Sequence, residues 1–581
     1  MTRARFIVPV LVLAGLAPLA AACGSDGAGS GADTAGGDTA VADDGADGVD
    51  ADTGPEDTAS DTADTALDVA DTTPAPVLCL DGLPQVAFRD DLVGPRRGDV
   101  AADFGVPLVG GGAFRLADAW DGCGVVVVLT DVATRSDVDD ASLWGDDAGL
   151  AELFALSPDG VDYVFVPLRQ GDPEGASADL AARLDTVLAG LGEPLTTYWR
   201  GRVHVGAVSG RDLDGWVSDA LLTRFQTGFV VDRAQRLHGV GSFSDVTRYD
   251  AAAAEIGWPW QGDIAYAAYE AQYVNADAAA SAALAAEELA TVPLFGGEVL
   301  EDGFAEVDAA LPADLASYDA LWVEATLRCP DPDANELGNC GAWDYLARLW
   351  VRDGDGDDAP ELEVARFITA YHRETHWIVD ASALLPRLPA GATRHFRWEW
   401  APSWNTQPTA TSLRLVLGRR GGPRPAATTS LFTGGPFDPG YNEAHDPMTV
   451  PIPASAQKVE LWAIVTGHGS GTSQCAEFCG HQHQFIVNGA LHLLAFPAVG
   501  DDEGCIAAIA SGMTPNQAGT WWLGRGGWCP GAPVAPWIVD VTGDVTPGED
   551  ATIDYRALLA GAKPPEDAGE IVLTSYLVVY E

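Results

Sequence analysis

From about residue 293 onwards the chain consists of short runs in which apolar and polar residues alternate, separated by glycine- and proline-rich turns. The runs are residues 318–327, 346–352, 412–417, 459–465, 485–488 and 571–579. Alternation with a period of two is typical of strands with one buried face, and many short strands of this kind indicate β-sandwiches. We therefore predict two all-β jelly-roll sandwiches, at residues 293–432 and 433–581, divided near the Gly/Pro-rich stretch 419–439. Paired jelly rolls place loops along their seam, where a cleft can form.

The preceding residues follow a different pattern, in which strands and helices alternate. Residues 123–130 form a short apolar run, as expected of a buried parallel strand. The further predicted elements are a helix at 144–155, a strand at 161–167, a helix at 176–191, and a hairpin of residues 228–232 and 236–240. This order predicts an α/β domain over residues 76–250, joined to the β-sandwiches by an alanine-rich helical connector at 251–292.

The α/β domain, with residues 98–104 at its head, resembles a thioredoxin or peroxiredoxin-type domain in the order of its elements. The redox cysteines of that family follow the first core strand, whereas residues 131–136 of this chain contain no cysteine. Cys123 instead precedes the strand. Because thiolate chemistry requires an accessible cysteine of low pKa, we predict that this domain is redox-silent.

The N-terminus has the pattern of an export signal. Arg3 and Arg5 precede an apolar stretch, Phe6 to Ala17, that is too short to span a bilayer as a helix. Small residues then lead to Cys23, in a pattern that resembles a bacterial lipobox. We predict a lipoprotein signal peptide at 1–23 and an exported, surface-exposed protein that a lipid on Cys23 anchors to the cell envelope.

Residues 24–75 are acidic, rich in Gly, Ala, Thr and Ser, and contain no Lys or Arg. Almost nothing in this segment can be buried to offset the conformational entropy lost on ordering, so we predict a disordered spacer. The whole chain has 85 acidic and 32 basic residues, a net charge of −53. Nucleic-acid binding requires clustered Lys and Arg, so this function class is excluded. We expect a monomer.

The cysteines support export to an oxidising compartment. Without Cys23, eight of the nine cysteines remain, an even number that suits four disulfides. The sequence alone leaves about 105 connectivities open. Short spacings favour three pairs, and elimination leaves a fourth: Cys329–Cys340, Cys475–Cys479, Cys505–Cys529 and Cys79–Cys123.

Six segments of the C-terminal half carry distinctive residues in one order. They are residues 329–345, 366–371, 398–400, 467–468, 475–479 and 525–531. In their order and separations they resemble the peptide-N-glycosidase F family, whose fold is a two-domain jelly roll. The resemblance implies hydrolysis of the amide between an N-glycan and asparagine, releasing a glycosylamine and leaving aspartate. The implied partners are N-glycosylated proteins or peptides.

The resemblance also implies roles for single residues. Asp344 matches the essential carboxylate of the family, and Glu477 and Glu399 match two further carboxylates of the cleft. Arg525 and Trp528 match cleft residues near the chitobiose core. His468 matches a neighbouring position, and we expect its role to be structural rather than catalytic.

Amide hydrolysis requires a base for water and an acid for the leaving nitrogen, and it has no obligatory metal or cofactor. Carboxylates that share a cleft can split their pKa values, so that one is protonated while another is ionised. Aromatic faces such as those of Trp343 and Trp528 suit the apolar faces of sugars.

The chain also departs from the family pattern. Tyr345 stands where the family has an arginine, and Thr466 where it has a tryptophan. Ala370, just before Tyr371, replaces a usual proline, and the loop between His468 and Cys475 is short. These changes leave the preferred glycan open.

Two other hypotheses remain open from the sequence. A non-catalytic, glycan-binding surface lipoprotein would keep the aromatic residues but not hydrolyse the amide. A copper-dependent monooxygenase of the same double jelly-roll architecture would use His481, His483 and Met513 as ligands, with the loose pair His372 and His376 in the first sandwich.

Overall fold

The computed structural model describes residues 77–91, 93–132, 143–169, 171–249, 260–356, 358–469 and 471–581. The predicted signal peptide, the lipid on Cys23 and the predicted spacer at 24–75 lie outside the described residues. Residues from 76 onwards form one compact unit. None of the helices in the described ranges is both long enough and apolar enough to cross a membrane.

The first part of this unit has α/β structure. Its strands are β1 (Val93–Gly94), β2 (Val100–Ala101), β3 (Gly105–Pro107), β4 (Ala113–Arg115), β5 (Val125–Thr130), β6 (Val161–Val166), β7 (Val203–Val205), β8 (Gly228–Val231) and β9 (Leu237–Gly239). Its α-helices are Leu116–Ala119, Asp147–Leu156, Pro173–Gly190, Leu195–Arg200 and Trp216–Thr223. A five-stranded sheet has the order β7-β6-β5-β8-β9, with β5, β6 and β7 parallel.

Every residue of β5 is buried, which explains why the sequence is apolar without alternation there. The predicted buried parallel strand is thus confirmed, as is the hairpin, which is formed by β8 and β9. The two predicted helices are present as Asp147–Leu156 and Pro173–Gly190. The resemblance to a thioredoxin-type domain stays a prediction.

The predicted helical connector is shorter than expected. After β10 (Ser244–Tyr249) and β11 (Trp260–Gly262), one long helix spans Ala267–Glu287, and we call it the connector helix. A strand begins directly at Glu288, inside the segment that was predicted to be helical, because Glu288 already pairs with Gly418 in a sheet. The first β-sandwich therefore starts at Glu288 rather than at residue 293.

The first sandwich contains two four-stranded antiparallel sheets. Its strands are β12 (Glu288–Leu300), β13 (Phe304–Ala310), β14 (Ala320–Arg328), β15 (Leu346–Arg352), β16 (Glu361–Ile368), β17 (Thr375–Asp380), β18 (Thr393–Glu399) and β19 (Thr409–Gly418). One sheet has the order β12-β19-β14-β17 and the other β13-β18-β15-β16. Alternate residues of β14 and β15 are buried, as the period of two in the sequence predicts.

The second sandwich repeats this layout. Its strands are β20 (Pro425–Pro436), β21 (Met448–Pro451), β22 (Lys458–His468), β23 (His481–Val487), β24 (Ala490–Ala495), β25 (Trp537–Asp540), β26 (Asp550–Leu559) and β27 (Glu570–Tyr580). The sheets have the orders β20-β27-β22-β25 and β21-β26-β23-β24. The predicted boundary at residues 432 and 433 falls within β20, which pairs with β27, so the division between sandwiches lies before Pro425.

A buried ion pair joins the two sandwiches. The guanidinium of Arg366 on β16 donates to both carboxylate oxygens of Glu363 at 2.6 Å. It also donates to the hydroxyl of Thr466 at 2.9 Å and to the carbonyl of Val572 at 2.7 Å, both in the second sandwich. Because every charge here is matched, the pair fixes how the sandwiches face each other.

Four disulfides are formed, and they are the four predicted pairs: Cys79–Cys123, Cys329–Cys340, Cys475–Cys479 and Cys505–Cys529. Three of them lie in the sandwiches and bracket loops rather than strands. Glu477 and Arg525 lie inside two of these loops, and Asp344 lies four residues after the third disulfide, Cys329–Cys340.

Candidate active site

Asp344 lies in the loop between the Cys329–Cys340 disulfide and β15. The loop is fixed on both sides of this residue. The hydroxyl of Thr369 donates to the carbonyl of Trp343 at 2.6 Å, and the N–H of Tyr345 donates to the same hydroxyl oxygen at 2.8 Å. The Asp344 carboxylate therefore has a defined position in a segment without regular secondary structure.

Glu477 comes from the second sandwich, in the one-turn helix Cys475–Phe478. The Cys475–Cys479 disulfide closes this turn. One carboxylate oxygen of Glu477 accepts a hydrogen bond from the N–H of Gly469 at 2.8 Å. The rigid turn and this bond hold the side chain in one orientation.

Arg525 joins these two carboxylates. Its Nε atom lies 3.1 Å from Oε1 of Glu477, and an Nη atom lies 3.4 Å from Oδ2 of Asp344. The remaining guanidinium N–H groups donate within the protein, to the carbonyls of Thr520 and Leu523 and to the Thr520 hydroxyl. A side chain that is only 2% exposed thus brings together carboxylates from both sandwiches.

The turn after Arg525 has to contain glycine. A Cβ atom on Gly526 would lie 2.5 Å from the carbonyl oxygen of Ala476, which is too close for any other residue. This close approach lets the Gly526 N–H donate to the Glu477 carbonyl at 2.7 Å. Glycine is thus required where the Arg525 loop meets the Glu477 helix.

The environment of Asp344 is unusual for an aspartate. Burial raises its pKa to about 6, and the neighbouring Glu477 adds to the rise, while Arg525 and a hydrogen bond with Tyr371 oppose it. Burial also raises the pKa of Tyr371, and the charge of Asp344 adds to that rise. Asp344 is therefore poised to exchange a proton near neutral pH.

Tyr371 was not predicted as a site residue. Its hydroxyl contacts Asp344 and accepts a hydrogen bond from Arg525 at 3.4 Å. One signal for it was present in the sequence, since Tyr371 ends the segment 366–371 that carries part of the family resemblance. Its role is visible only when the loops are assembled.

The rings of Trp528 and His468 are stacked, and Arg525 packs against Trp528. Trp528 is only 7% exposed, its indole N–H donates to the carbonyl of Gly467 at 2.6 Å, and the guanidinium of Arg525 lies 4.8 Å from its ring. The His468 ring stacks on it at 5.1 Å. Burial, together with nearby arginines, lowers the pKa of His468 to about 3. Trp528 thus packs between Arg525 and His468, and it presents little surface to a sugar.

Exposed aromatic residues are instead found at Trp343, next to Asp344 in the chain, and at Trp404, which packs against Tyr345. Trp343 is 50% exposed and Trp404 is 74% exposed. The Tyr345 ring packs edge-on against Trp404 at 5.9 Å, and Asn405 donates to the Tyr345 hydroxyl at 2.9 Å. We call Trp343, Tyr345 and Trp404 the aromatic rim. Trp404 was not predicted, because one tryptophan in a Pro-rich loop has no distinguishing pattern.

Glu399, the third predicted carboxylate, has other partners. It lies 3.1 Å from Arg348 and 3.2 Å from Arg397, and the indole N–H of Trp350 donates to it at 3.4 Å. Among the ion pairs and hydrogen bonds of the described residues, none joins Glu399 to Asp344, Glu477 or Arg525. The structure thus brings together two of the three predicted carboxylates.

The histidines of the copper hypothesis do not form a ligand set. The rings of His481 and His483 are buried and bind each other, with Nδ1 of His481 2.8 Å from Nε2 of His483. The other nitrogen of His483 bonds to the hydroxyl of Tyr555 at 2.7 Å. Met513 packs in a different hydrophobic cluster, with Trp521 and Trp522. These contacts make the histidine pair part of the second sandwich core.

The histidines of the first sandwich are also engaged. His376 bonds to Asp277 at 2.5 Å and to Glu324 at 3.0 Å, and His372 bonds to the carbonyl of Cys340 at 3.2 Å. Among the described residues, the one cluster with the spacing of metal ligands is Cys329, Cys340 and Glu374. Its two sulfurs are joined in a disulfide, so they are not thiolate donors.

Comparison with known proteins agrees with the motifs. Residues 439–578 match the family model described as Peptide-N-glycosidase F, C terminal. A curated relative, the peptide-N(4)-(N-acetyl-beta-D-glucosaminyl)asparagine amidase F of Elizabethkingia miricola, is 23% identical over 277 residues, which are 43% of this chain and 71% of the relative. The resemblance predicted for the C-terminal half is thereby confirmed.

Solved structures of similar proteins were also found. A crystal structure of a peptide-N(4)-(N-acetyl-beta-D-glucosaminyl)asparagine amidase is 19% identical, with a TM-score of 0.40, and the match covers 50% of this chain and 96% of that chain. The structure of PNGase F, a glycosylasparaginase from Flavobacterium meningosepticum, is 18% identical with a TM-score of 0.40, and the same fractions of both chains are covered.

Proposed function

We propose that this protein is an exported amidase that hydrolyses the bond between an N-glycan and the asparagine of a glycoprotein or glycopeptide. One observation carries the proposal: Arg525 holds Asp344 and Glu477, from two different sandwiches, in one cluster. These are the two carboxylates for which the family resemblance implies catalysis. The match of residues 439–578 to the family model and the name of the curated relative support the same reaction.

In the proposed reaction, Asp344 acts on the proton of the attacking water. Its pKa of about 6 allows it to accept that proton near neutral pH, while the oxygen adds to the amide carbon of asparagine. The proton then passes to the nitrogen as the carbon–nitrogen bond breaks. The oxygen and the other hydrogen of the water enter the new carboxyl group, so the products are a glycosylamine and an aspartate.

Arg525 serves to hold the carboxylates rather than to bind glycan. All its N–H groups point to protein acceptors, including Glu477, Thr520 and Leu523. A fixed guanidinium keeps the acidic groups in place without reorganisation during the reaction. We propose that Glu477 contributes the second carboxylate, which orients the substrate amide beside Asp344.

The aromatic rim is the surface that we propose for the sugar. Trp343 precedes Asp344 in the chain, Trp404 packs against the following residue, Tyr345, and both tryptophans are exposed, whereas Trp528 is covered by Arg525 and His468. Exposed aromatic rings with one open face suit the apolar face of a sugar ring. The rim contains Tyr345, where the family has arginine, so we expect glycan preference to differ from that of the relatives.

We also propose export and a lipid anchor on Cys23. Four disulfides are expected of a protein that folds in an oxidising compartment. The α/β domain is proposed to be redox-silent, because residues 131–136, which follow β5, contain no cysteine, and its Cys79 and Cys123 form a disulfide that lies before that strand.

The reaction can be tested with the purified full chain and a denatured glycoprotein in heavy-oxygen water. We expect the glycosylated asparagine to become aspartate and the new carboxylate to carry one heavy oxygen. Released glycan with an intact asparagine would instead indicate cleavage within the glycan. Retention of the glycopeptide on the immobilised protein, without any change of mass, would favour the glycan-binding alternative. Adding copper is expected to change nothing.

A further inference from the structure

A buried ion cluster connects the α/β part of the molecule to the loops of the candidate active site. Glu270, on the connector helix, is fully buried. Both of its carboxylate oxygens accept hydrogen bonds from the guanidinium of Arg373, at 3.0 and 3.2 Å. Arg373 also forms an ion pair with Glu336 at 2.9 Å and donates to the carbonyl of Gly239 on β9 at 2.9 Å.

The same cluster holds the loop that carries Arg525. The side-chain N–H₂ group of Asn516 donates to Glu270 at 3.2 Å and to the carbonyl of Tyr266 at 3.0 Å. Arg373 donates to the carbonyl of Pro515 at 2.8 Å. Glu270 therefore binds two active-site segments at once: residues 371–373, which include Tyr371, and the loop between Cys505 and Cys529.

Aromatic packing on the connector helix holds the same loop a few residues further on. Trp521 is fully buried, with its ring centroid 6.0 Å from that of Tyr266 and 6.3 Å from that of Tyr269. The residue before it, Thr520, accepts hydrogen bonds from Arg525 through both its carbonyl and its hydroxyl. The position of Arg525 thus depends on the packing of Trp521 against Tyr266 and Tyr269, at the start of the connector helix.

Other bonds also hold the loop: the Gln517 side chain donates to the carbonyls of Thr514 and Pro530 and accepts from the N–H of Tyr371, but these bonds join the loop to itself and to the first sandwich rather than to the connector helix. The loop's regular structure in the part between the cysteines is the short 3₁₀ helix Ile506–Ser511. A buried charge is costly unless it is fully matched, so Glu270, Arg373 and Asn516 can satisfy one another in few arrangements. Such a cluster selects one conformation of the segments that it joins.

We propose that Glu270 is a positioning residue for the candidate active site, acting through Arg373 and Asn516 on the loops that carry Tyr371 and Arg525. The inference rests on the proposed function and adds to it that the α/β domain and connector helix complete the amidase. The two sandwiches alone would then hold Asp344 and Glu477 but lack a fixed Arg525.

A plain interdomain tether is the competing explanation, and the chain offers a matched control. Asp277 is on the same helix and bonds to His376 of β17 at 2.5 Å, so it also ties the helix to the first sandwich. It contacts neither residues 514–516 nor Arg373 among its hydrogen bonds and ion pairs in the described chain. A tether predicts similar effects for Asp277→Asn and Glu270→Gln, whereas positioning predicts different ones.

The test compares Glu270→Gln, Asp277→Asn and the unaltered full chain by hydrogen exchange and by kinetics on a glycopeptide. In Glu270→Gln we expect the amides of residues 514–528 to exchange about tenfold faster. We expect kcat to fall about 100-fold with KM nearly unchanged, because misplaced groups cost rate rather than binding. In Asp277→Asn both quantities should stay near those of the unaltered chain.

Asn516→Ala supplies a second test if Glu270→Gln does not fold. This variant keeps the Glu270–Arg373 ion pair and removes the two bonds of the Asn516 side chain, to Glu270 and to the carbonyl of Tyr266, so it should reproduce both effects. Unchanged exchange in the 514–528 loop, or equal changes in Asp277→Asn, would overturn the proposal. If the unaltered chain releases no glycan while Glu270→Gln still loosens the loop, the proposed function fails and the positioning stands.

Discussion

Two clusters of arginine and carboxylate lie in the β-sandwiches, and they differ in the balance of charge. In the candidate active site a single arginine, Arg525, is shared by Asp344 and Glu477. In the second cluster, Glu399 is shared by Arg348 and Arg397, and Arg397 also pairs with Glu361 at 2.6 Å. The first cluster has more acids than bases, and the second has as many bases as acids.

The consequence appears in the pKa values of the carboxyl groups. In the second cluster, a hydrogen bond from Arg397 lowers the pKa of Glu361. In the first, burial and the charge of Glu477 raise the pKa of Asp344 to about 6, although Arg525 is adjacent. Glu361, in a cluster with one arginine for each carboxylate, stays ionised, whereas Asp344, which is buried and shares one arginine with Glu477, can exchange a proton. The comparison therefore predicts catalysis in the first cluster and a structural role in the second.

The largest effect is expected from Asp344→Asn. Asparagine keeps the size of the side chain but cannot accept a proton, so we expect kcat on a glycopeptide to fall about 1,000-fold, the scale of a lost general base. Mass spectrometry of the peptide product measures this rate. The same change should leave glycopeptide binding nearly intact, which calorimetry can check. A variant that keeps a tenth of the activity would remove Asp344 from the chemistry.

Glu477→Gln should have the next largest effect. Glutamine still accepts a hydrogen bond from Gly469 but loses its charge opposite Arg525, so we expect kcat to fall about 100-fold. The double variant with Asp344→Asn should lose little more than Asp344→Asn alone, because the two groups act on one reaction. Additive losses would show that Glu477 acts independently of Asp344.

Stability offers a test of the raised pKa that needs no substrate. Burial raises the pKa of Asp344 from 3.8 to about 6, so the folded state favours the protonated form. That contribution is present below pH 4 and is lost as the pH rises through 6. Asp344→Asn, which resembles the protonated form, should therefore match the unaltered protein at low pH and be more stable by about 3 kcal/mol at pH 8. Urea unfolding at both pH values measures the difference, and equal stability at pH 8 would contradict the raised pKa.

The sequence predicted the fold better than it predicted the site. The alternation of apolar and polar residues predicted both sandwiches, because one face of each strand is buried and every second residue of β14 and β15 therefore lies in the core. The boundaries were missed where a strand replaced the expected helix at Glu288 and where β20 crosses residue 432. In both places sheet pairing with a distant strand overrides local composition, which a linear sequence does not show.

The roles of the site residues were harder to predict from the sequence than the strands were. Asp344 and Glu477 were identified through the resemblance, but the roles of Arg525 and Trp528 changed once their partners were visible. Trp528 has the residue type of a sugar-binding platform, yet it is buried under Arg525. Tyr371 contacts Asp344 from a loop distant in sequence. The partners and the burial of these side chains depend on how the two sandwiches pack together. Residue type alone could therefore not predict them.

Glu399→Gln is expected to have the smallest effect, and it tests the difference between the two clusters most directly. The change removes one charge between Arg348 and Arg397, and Arg397 still has Glu361. Because the side chain is 29% exposed, water can solvate the unmatched arginine, and we expect a stability loss below about 1 kcal/mol. We expect kcat to stay within about threefold of the unaltered protein, since Glu399 has no bond to the group that exchanges the proton. Urea unfolding measures the stability and mass spectrometry of the peptide product measures kcat, and Glu477→Gln in the same two assays serves as the matched carboxylate. If the two variants lose activity equally, the balance of charge does not distinguish a catalytic cluster from a structural one. The candidate active site would then extend to Glu399 on β18.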